Sequence, residues 1–294
     1  MEKNAKMTER ISLSDFHEKD EGLIAEITEP EYLHKFNDFH KKAVQIISFN
    51  STVVGWVHIH VPDSSLYDGY IFIYVSPSHR RRGIGTWVYR HVVSKMIPVG
   101  CNWWTSYPES TIADQFALSV GFDYTNTNSY MVYNGTFCDI PADGIRPCRA
   151  EDYPTALDIW SHEYAEMHKR IGLPFEKHEL TEAERKQEYE QFMRDLPYSY
   201  VMEVDHQMIG YGTLFRDNSG IGSVAVDRVF AGQGYGTRFA TFLTDECIRR
   251  GNKTPCLYCE SGNDIAMHVY QKIGYTEVSR ETVALKNWKD QMKK

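Results

Sequence analysis

Apolar and polar positions along the chain alternate with two different periods, and the order of those periods repeats once. In the first half a helical stretch lies between Glu29 and Lys42. Val44 to Phe49 and Val53 to Val61 then alternate as strands do and meet across Asn50-Ser51, which predicts a hairpin. Tyr70 to Val75 reads as a third strand, followed by a glycine-bearing segment and the helically spaced Trp87 to Val93. A strand near Asn102 to Tyr107, a helix from Thr111 to Val120 and a strand near Tyr130 close the half.

The second half runs in the same order. Ile145-Arg146-Pro147 begins a strand, and Ala150 to Tyr153 opens a helix reaching about His168. A charged helix covers Thr181 to Leu196, with Thr181 and Glu184 placed as a capping box. Strands at Tyr198 to Val204 and Met208 to Phe215 meet at Asp205-His206-Gln207. Ile221 to Val226, a glycine segment, a helix from Arg238, a strand at Leu257 to Glu260, a helix at Asp264 to Ile273 and a strand at Thr276 to Leu285 follow. Val53-Val54-Gly55-Trp56 also parallels Met208-Ile209-Gly210-Tyr211, so internal duplication is the economical reading. The boundary falls in Asp139 to Gly144, giving domains at 1–138 and 144–294.

The two glycine segments are near copies. Arg80-Arg81-Arg82-Gly83-Ile84-Gly85-Thr86 answers to Ala231-Gly232-Gln233-Gly234-Tyr235-Gly236-Thr237, and each Gly-x-Gly starts eight residues after a valine, Val75 or Val226. Glycine lets backbone N–H groups turn toward a ligand with no Cβ in the way. A helix starting just after it adds unpaired N–H groups and a positive dipole end. One Gly-x-Gly reads equally as a tight turn. Two copies in matched strand–loop–helix settings point to an anion such as a diphosphate.

Bulk properties narrow the field. The net charge of −8, from 32 basic and 40 acidic residues, argues against a general nucleic-acid binder. Met1 to Lys6 is polar, without an apolar signal core, and no apolar run is long enough to span a bilayer, so a cytoplasmic location is expected. The six cysteines show no disulfide framework. Cys256 and Cys259 have metal-like spacing, but strand alternation sends them to opposite faces, and no metal is expected.

These residues resemble the GNAT superfamily of acyl-CoA-dependent N-acetyltransferases in a tandem form. Arg80 to Gly85 matches the family's Arg or Gln, two residues, Gly-x-Gly pattern in full. The second copy departs from it at Ala231. A later family pattern is complete at Asn263, Ala266, Tyr270, Gly274 and Tyr275. The resemblance covers residues 144–288 and, less tightly, 10–137. It implies a mixed α/β fold of two tandem domains, each a splayed, mostly antiparallel sheet flanked by helices. Acetyl-CoA would lie in the splay between the fourth and fifth strands. In the second half that implicates Val224, Ala225 and Val226 on the strand. It also implicates Gly232, Gln233, Gly234, Tyr235, Gly236 and Thr237 in the loop, and Asn263 on the facing helix. In the first half it implicates Val75, Arg80, Arg81, Arg82, Gly83, Ile84, Gly85 and Thr86.

Asn263 and Tyr270 are seven residues apart, two helical turns, and share a face with the small Ala266 between them. By resemblance Tyr270 is the general acid for the departing thiolate. A phenol with an ordinary pKa near 10 is protonated at neutral pH, the state such a role needs. The backbone N–H of Val226 or a neighbour would polarise the thioester carbonyl. Glu260 and Glu203 are candidate bases, and a water chain is a third option. His162, Glu163, Glu166, His168 and Arg170 fall in the region the family uses for acceptors, and read equally as a solvated helix face.

The expected activity is transfer of an acetyl group to a primary amine, of a small molecule, in the second half. A protein N-acetyltransferase or a non-catalytic acyl-CoA sensor are the alternatives. Aligning Gly121-Phe122 on Gly274-Tyr275 puts Ser110 at Asn263 and Ala117 at Tyr270. Alanine has no proton to give, so the first half is expected to bind a CoA-type ligand without catalysing, unless another phenol such as Tyr107 or Tyr124 substitutes.

Overall fold

A computed structural model describes residues 10–173 and 180–288, so the polar segment Met1 to Lys6 lies outside the described residues. The chain divides into two compact units. The first takes residues up to Asn126 together with Glu281 onward, and the second takes Thr127 to Arg280.

The first unit contains strands β1 (Ile11–Asp15), β2 (Val44–Phe49), β3 (Thr52–His60), β4 (Gly69–Val75) and β5 (Trp103–Pro108) in spatial order. Helices α1 (Glu21–Ile27), α2 (Pro30–Asp38), α3 (Ile84–Met96) and α4 (Thr111–Val120) flank them. All neighbours are antiparallel except β4 and β5, which run parallel. The predicted β2–β3 hairpin turns at Asn50 and Ser51, with φ of 51° and 65°. Two left-handed residues match the twist of a two-residue hairpin. The core gathers Trp56, Ile47, Ile71, Val88 and Met96, each under 3% exposed. Each such side chain contributes roughly 1.5–3 kcal/mol on burial. β1 and α1 lacked a clear periodic signal and add to what the sequence pattern predicts.

In the second unit β7 (Ile145–Pro147), β8 (Ser199–Val204), β9 (Gln207–Leu214) and β10 (Ile221–Val226) form a four-stranded antiparallel sheet. Helices α5 (Tyr153–Ile171), α6 (Glu182–Asp195), α7 (Tyr235–Arg249) and α8 (Asp264–Ile273) accompany it. The capping box at Thr181 and Glu184 forms as predicted. β11 (Cys256–Glu260) pairs with Asn128 to Val132 of β6 (Tyr124–Tyr133). The last strand, β12 (Tyr275–Lys286), serves both units by its two ends: Glu281 to Lys286 pair with β5 in the first. Thus the closing strand of the first repeat pairs with β11 in the second unit, and the end of the second repeat's closing strand pairs with β5 in the first.

The segment predicted as a boundary is anchored. Fully buried Asp245 on α7 accepts hydrogen bonds from the N–H groups of Cys138 (3.0 Å) and Ile140 (3.1 Å). Among the described residues no helix is long and apolar enough to cross a membrane.

Candidate active site

In both units the sheet opens at the same step. The β4–β5 pairing in the first unit ends after Tyr70↔Trp104. In the second, a single bridge, Gly220↔Cys256, joins the β10 and β11 edges. A Cβ on Gly220 would meet the Cys256 carbonyl oxygen at 1.7 Å, so only glycine permits that approach. Beyond the bridge the strands part. Asp227 donates its N–H to the Ile209 carbonyl, which makes that pair a hydrogen-bonded one. Antiparallel alternation then turns the backbone groups of Val226 and Val224 away from β9, into the opening. Ser76, bonded to Val54, has the same effect on Val75 and Ile73.

The loops beside these openings form matching nests. Gly232 and Gly234 adopt φ of 75° and 84°, and Arg81 and Gly83 follow with 64° and 79°. Among the described residues, no protein group accepts the N–H of any residue from Arg81 to Thr86 or from Gly232 to Thr237. Six donors converging at a helix N-terminus suit a diphosphate. The same two features, a splayed pair of parallel edges and a donor nest, occur once per unit.

The chain belongs to the Acetyltransferase (GNAT) family. Its family pattern matches residues 10–122 and 158–275. Among solved structures, a GCN5-related N-acetyltransferase from Sphaerobacter thermophilus superposes with a TM-score of 0.56 at 17% identity, covering 94% of this chain and 95% of that one. The glucosamine N-acetyltransferase region of a fungal multi-domain beta-N-acetylglucosaminidase gives 0.54 at 13%, covering 94% of this chain and 38% of that one. A Drosophila protein of no stated activity gives 0.51 at 14%, covering 93% and 98%. At these identities the likeness is one of fold. A comparison with curated proteins gives no match. As a GNAT chain with two repeats, the protein is an acyl-CoA-dependent acyltransferase.

In the GNAT site of the second unit, Asn263 caps α8 by accepting from the Ala266 N–H, and its amide oxygen also takes a bond from Arg170 at 3.1 Å. Tyr270 is half-buried, with its ring edge-on to Tyr275 at 5.9 Å. Burial, with the charges of Cys259 and Glu260 adding to it, raises its hydroxyl well above the ordinary phenol range. Glu260 ends β11, and its backbone carbonyl accepts the Asn263 N–H at 2.8 Å. Glu203 is committed elsewhere. Its carboxylate accepts from Arg146 Nε (2.9 Å) and Nη2 (2.6 Å), and Asp152 grips the same guanidinium at 2.7 and 2.9 Å. That network fastens β7 to β8 and commits the Glu203 carboxylate to Arg146.

The acidic face of α5 is also engaged. Glu163 accepts from the Arg228 backbone N–H at 3.1 Å, and Glu166 from its guanidinium at 2.9 Å. That contact holds the Glu166 carboxyl below its usual range. Trp160 stacks on Tyr164 at 5.0 Å, and Tyr164 packs on His168 at 4.2 Å.

The first unit has a cavity of about 590 Å³ in its opening, within the range of small-ligand sites. Ile73, Val75, Gly85, Tyr107, Ser110 and Phe116 are in its wall. Ser110 caps α4 through the Ala113 N–H, as Asn263 caps α8 through Ala266, so the gapless alignment holds in three dimensions. Arg80 is held at the end of β4 and also lines the cavity. Its Nε donates to the Val75 carbonyl at 2.8 Å, its Nη2 pairs with Glu29, and it lies 5.7 Å from the Tyr74 ring centre. The family's Arg thus locks the strand end here. The Glu29 partner is 51 residues away and had no local signal.

Proposed function

We propose that the second unit transfers an acetyl group from acetyl-CoA to a primary amine of a small molecule. The observation carrying this reading is the splay beyond Gly220 with its N–H nest, in a unit that keeps the complete pattern from Asn263 through Tyr270 to Tyr275. The bound thioester supplies an electrophilic carbonyl carbon. The N–H groups of Gly232 through Thr237 would receive the diphosphate, and Asn263 would face it from the helix opposite. The Val226 N–H would take the carbonyl oxygen and stabilise the charge that develops there. Glu260 would receive the amine proton, directly or through water, and Tyr270 would protonate the departing sulfur. Glu163 and Glu166 would hold a cationic acceptor only by displacing Arg228. We read residues 1–138 as the other repeat, a binder of a CoA-type ligand, because Ala117 removes the acid from α4. Thiol release from acetyl-CoA across a panel of primary amines tests the reading; no amine raising it above background would favour a sensor instead.

A further inference from the structure

The last helices of the two repeats carry different side chains on the face that meets their own units. Ser110 and Asn263 cap their N-termini, and Gly121 and Gly274 end them in the left-handed region, so α4 and α8 align without a gap. That alignment sets Ala117 at the Tyr270 step and Phe122 at the Tyr275 step. In the second unit the Tyr270 ring stands edge-on to Tyr275 at 5.9 Å. In the first unit a methyl group holds that step beside Phe122, and a whole phenol ring is missing.

The large side chains next to Ala117 do not refill the space. The Phe116 ring packs at Gly85, 3.1 Å from where a Cβ would stand there, and Leu118 is 49% exposed. The cavity of about 590 Å³ takes up the space instead. Ala117 and Phe122 are in its wall, with Ile71 of β4, Tyr89 of α3 and Thr105 of β5, and all five are buried. Arg81, also in the wall, is exposed, so the cavity runs from the nest into the core. Apart from the Thr105 hydroxyl, this inner end presents carbon. The Tyr89 hydroxyl is already engaged, accepting from Trp103 Nε1 at 3.1 Å. An apolar cavity of this kind stays dry and takes an apolar guest.

We propose that this inner end is an acyl-chain pocket, and that the first unit selects CoA thioesters of straight saturated chains, from butyryl upward, over acetyl-CoA. This rests on the reading of the first unit as a binder of a CoA-type ligand. With the diphosphate on the nest, the thioester sulfur comes to the α4 step at which Tyr270 stands in the second unit. The carbons beyond the carbonyl then meet Ala117 and Phe122, and each further methylene leaves water for the carbon-lined end. Tyr270 closes the same path in the second unit, which keeps that unit to a short acyl group. The missing phenol is thus exchanged for room, and the two repeats sort CoA thioesters by chain length.

The test is calorimetry on the full-length chain carrying Gly236→Trp, which covers the second nest, titrated with acetyl-, butyryl- and hexanoyl-CoA. Burying a methylene is expected to tighten binding about fourfold, so butyryl-CoA should bind about tenfold or more tighter than acetyl-CoA. Adding Ala117→Phe refills the space and should erase that gain while acetyl-CoA affinity stays near its starting value. The smaller Ala117→Val should cut the gain for hexanoyl-CoA more than for butyryl-CoA. It decides alone if the Ala117→Phe chain shows no cooperative unfolding. Equal affinity for the three thioesters would overturn the inference and leave the first unit's reading as a CoA binder intact. If none of the three binds while the unsubstituted chain shows one site, that reading falls too. A chain-length preference untouched by Ala117→Phe and Ala117→Val also sinks the inference, because the acyl chain would then lie elsewhere.

Discussion

Arg81 and Gly232 occupy the same step of the two nests, with φ of 64° and 75°. An L-residue in the left-handed region costs about 1–2 kcal/mol, and a glycine's extra freedom in the unfolded chain returns part of that. The Arg81 side chain is exposed and, among the described residues, has no hydrogen-bond or ion-pair partner. Arg81→Gly is therefore expected to stabilise the protein by about 0.5–1 kcal/mol. Denaturant unfolding measures it, and a loss of stability would show that the Arg81 side chain contributes more than its backbone costs.

Tyr270→Phe should lower turnover at the second unit by about 10²–10⁴-fold, or roughly 3–5.5 kcal/mol of barrier. CoA affinity should hardly change, because the ring stays in its edge-on contact with Tyr275. Steady-state kinetics with the best amine of a panel, beside calorimetry with CoA, separates the two quantities. Normal turnover would remove Tyr270 from the mechanism.

The Arg146–Asp152 pair gives the fold a pH dependence. Hydrogen bonds from Arg146 come first among the causes that hold Asp152 below its ordinary range. A folded-state pKa that is depressed contributes stability above the unfolded value, about 3.9, and loses it as pH falls through the folded value. Asp152→Asn is expected to cost about 1–3 kcal/mol at pH 7. That is less than the 3–5 of a fully buried pair, because Arg146 is 25% exposed and keeps Glu203. Urea unfolding at pH 7 and pH 3 should show the gap between the two proteins closing in acid. A constant gap would point to packing instead.

What the sequence makes legible is what short-range chemistry decides. The glycine nests, the hairpin at Asn50-Ser51, the Thr181 capping box and the span Thr111–Val120 each depend on residues within one turn of each other. The splay and the acid role of Tyr270 come through the family resemblance. What stayed hidden depends on partners far apart in sequence. Glu203 looks like any strand-end glutamate until Arg146, 57 residues earlier, takes it up. Nothing local shows that Arg80 pairs with Glu29, 51 residues earlier. Tyr107 is one apolar-spaced aromatic among many until the fold sets it in the cavity wall.

Two nests imply two equivalents of CoA per chain. Gly236 has open space where a Cβ would go, so Gly236→Trp should fold normally while its ring covers the second nest. Calorimetry is expected to fall from two sites to one. Gly85 differs, because a Cβ there would meet the Phe116 ring at 3.1 Å and Phe116 would have to give way. Gly85→Ala should therefore weaken the first site by shifting Phe116 within the cavity wall. A single site in the unsubstituted protein would refute the doubled nest.

The exchange of closing strands predicts which pieces of the chain can stand alone. Residues Glu281 to Lys286 cover β5 in the first unit, with Thr282 and Ala284 almost wholly buried there. Lys286 also pairs with Asp123 at 2.8 Å, and the Asp123 N–H donates to the Leu285 carbonyl. Ending the chain after Arg280 exposes that edge and removes a ladder whose bonds contribute about 0.5–1.5 kcal/mol each. A domain's whole margin is only about 5–15 kcal/mol. An uncovered, apolar strand edge also invites aggregation. The chain ending at Arg280 should lose the first unit's cooperative unfolding and its CoA site while the second unit persists. A fragment of residues 127–280 should fold, because it keeps the Asn128 to Val132 partner of β11. A fragment of 144–294 lacks that partner and carries an unmatched closing strand, so it should fail. Unfolding curves and CoA titrations of the three pieces decide the matter. A folded, CoA-binding 144–294 fragment would show that the strand exchange is dispensable.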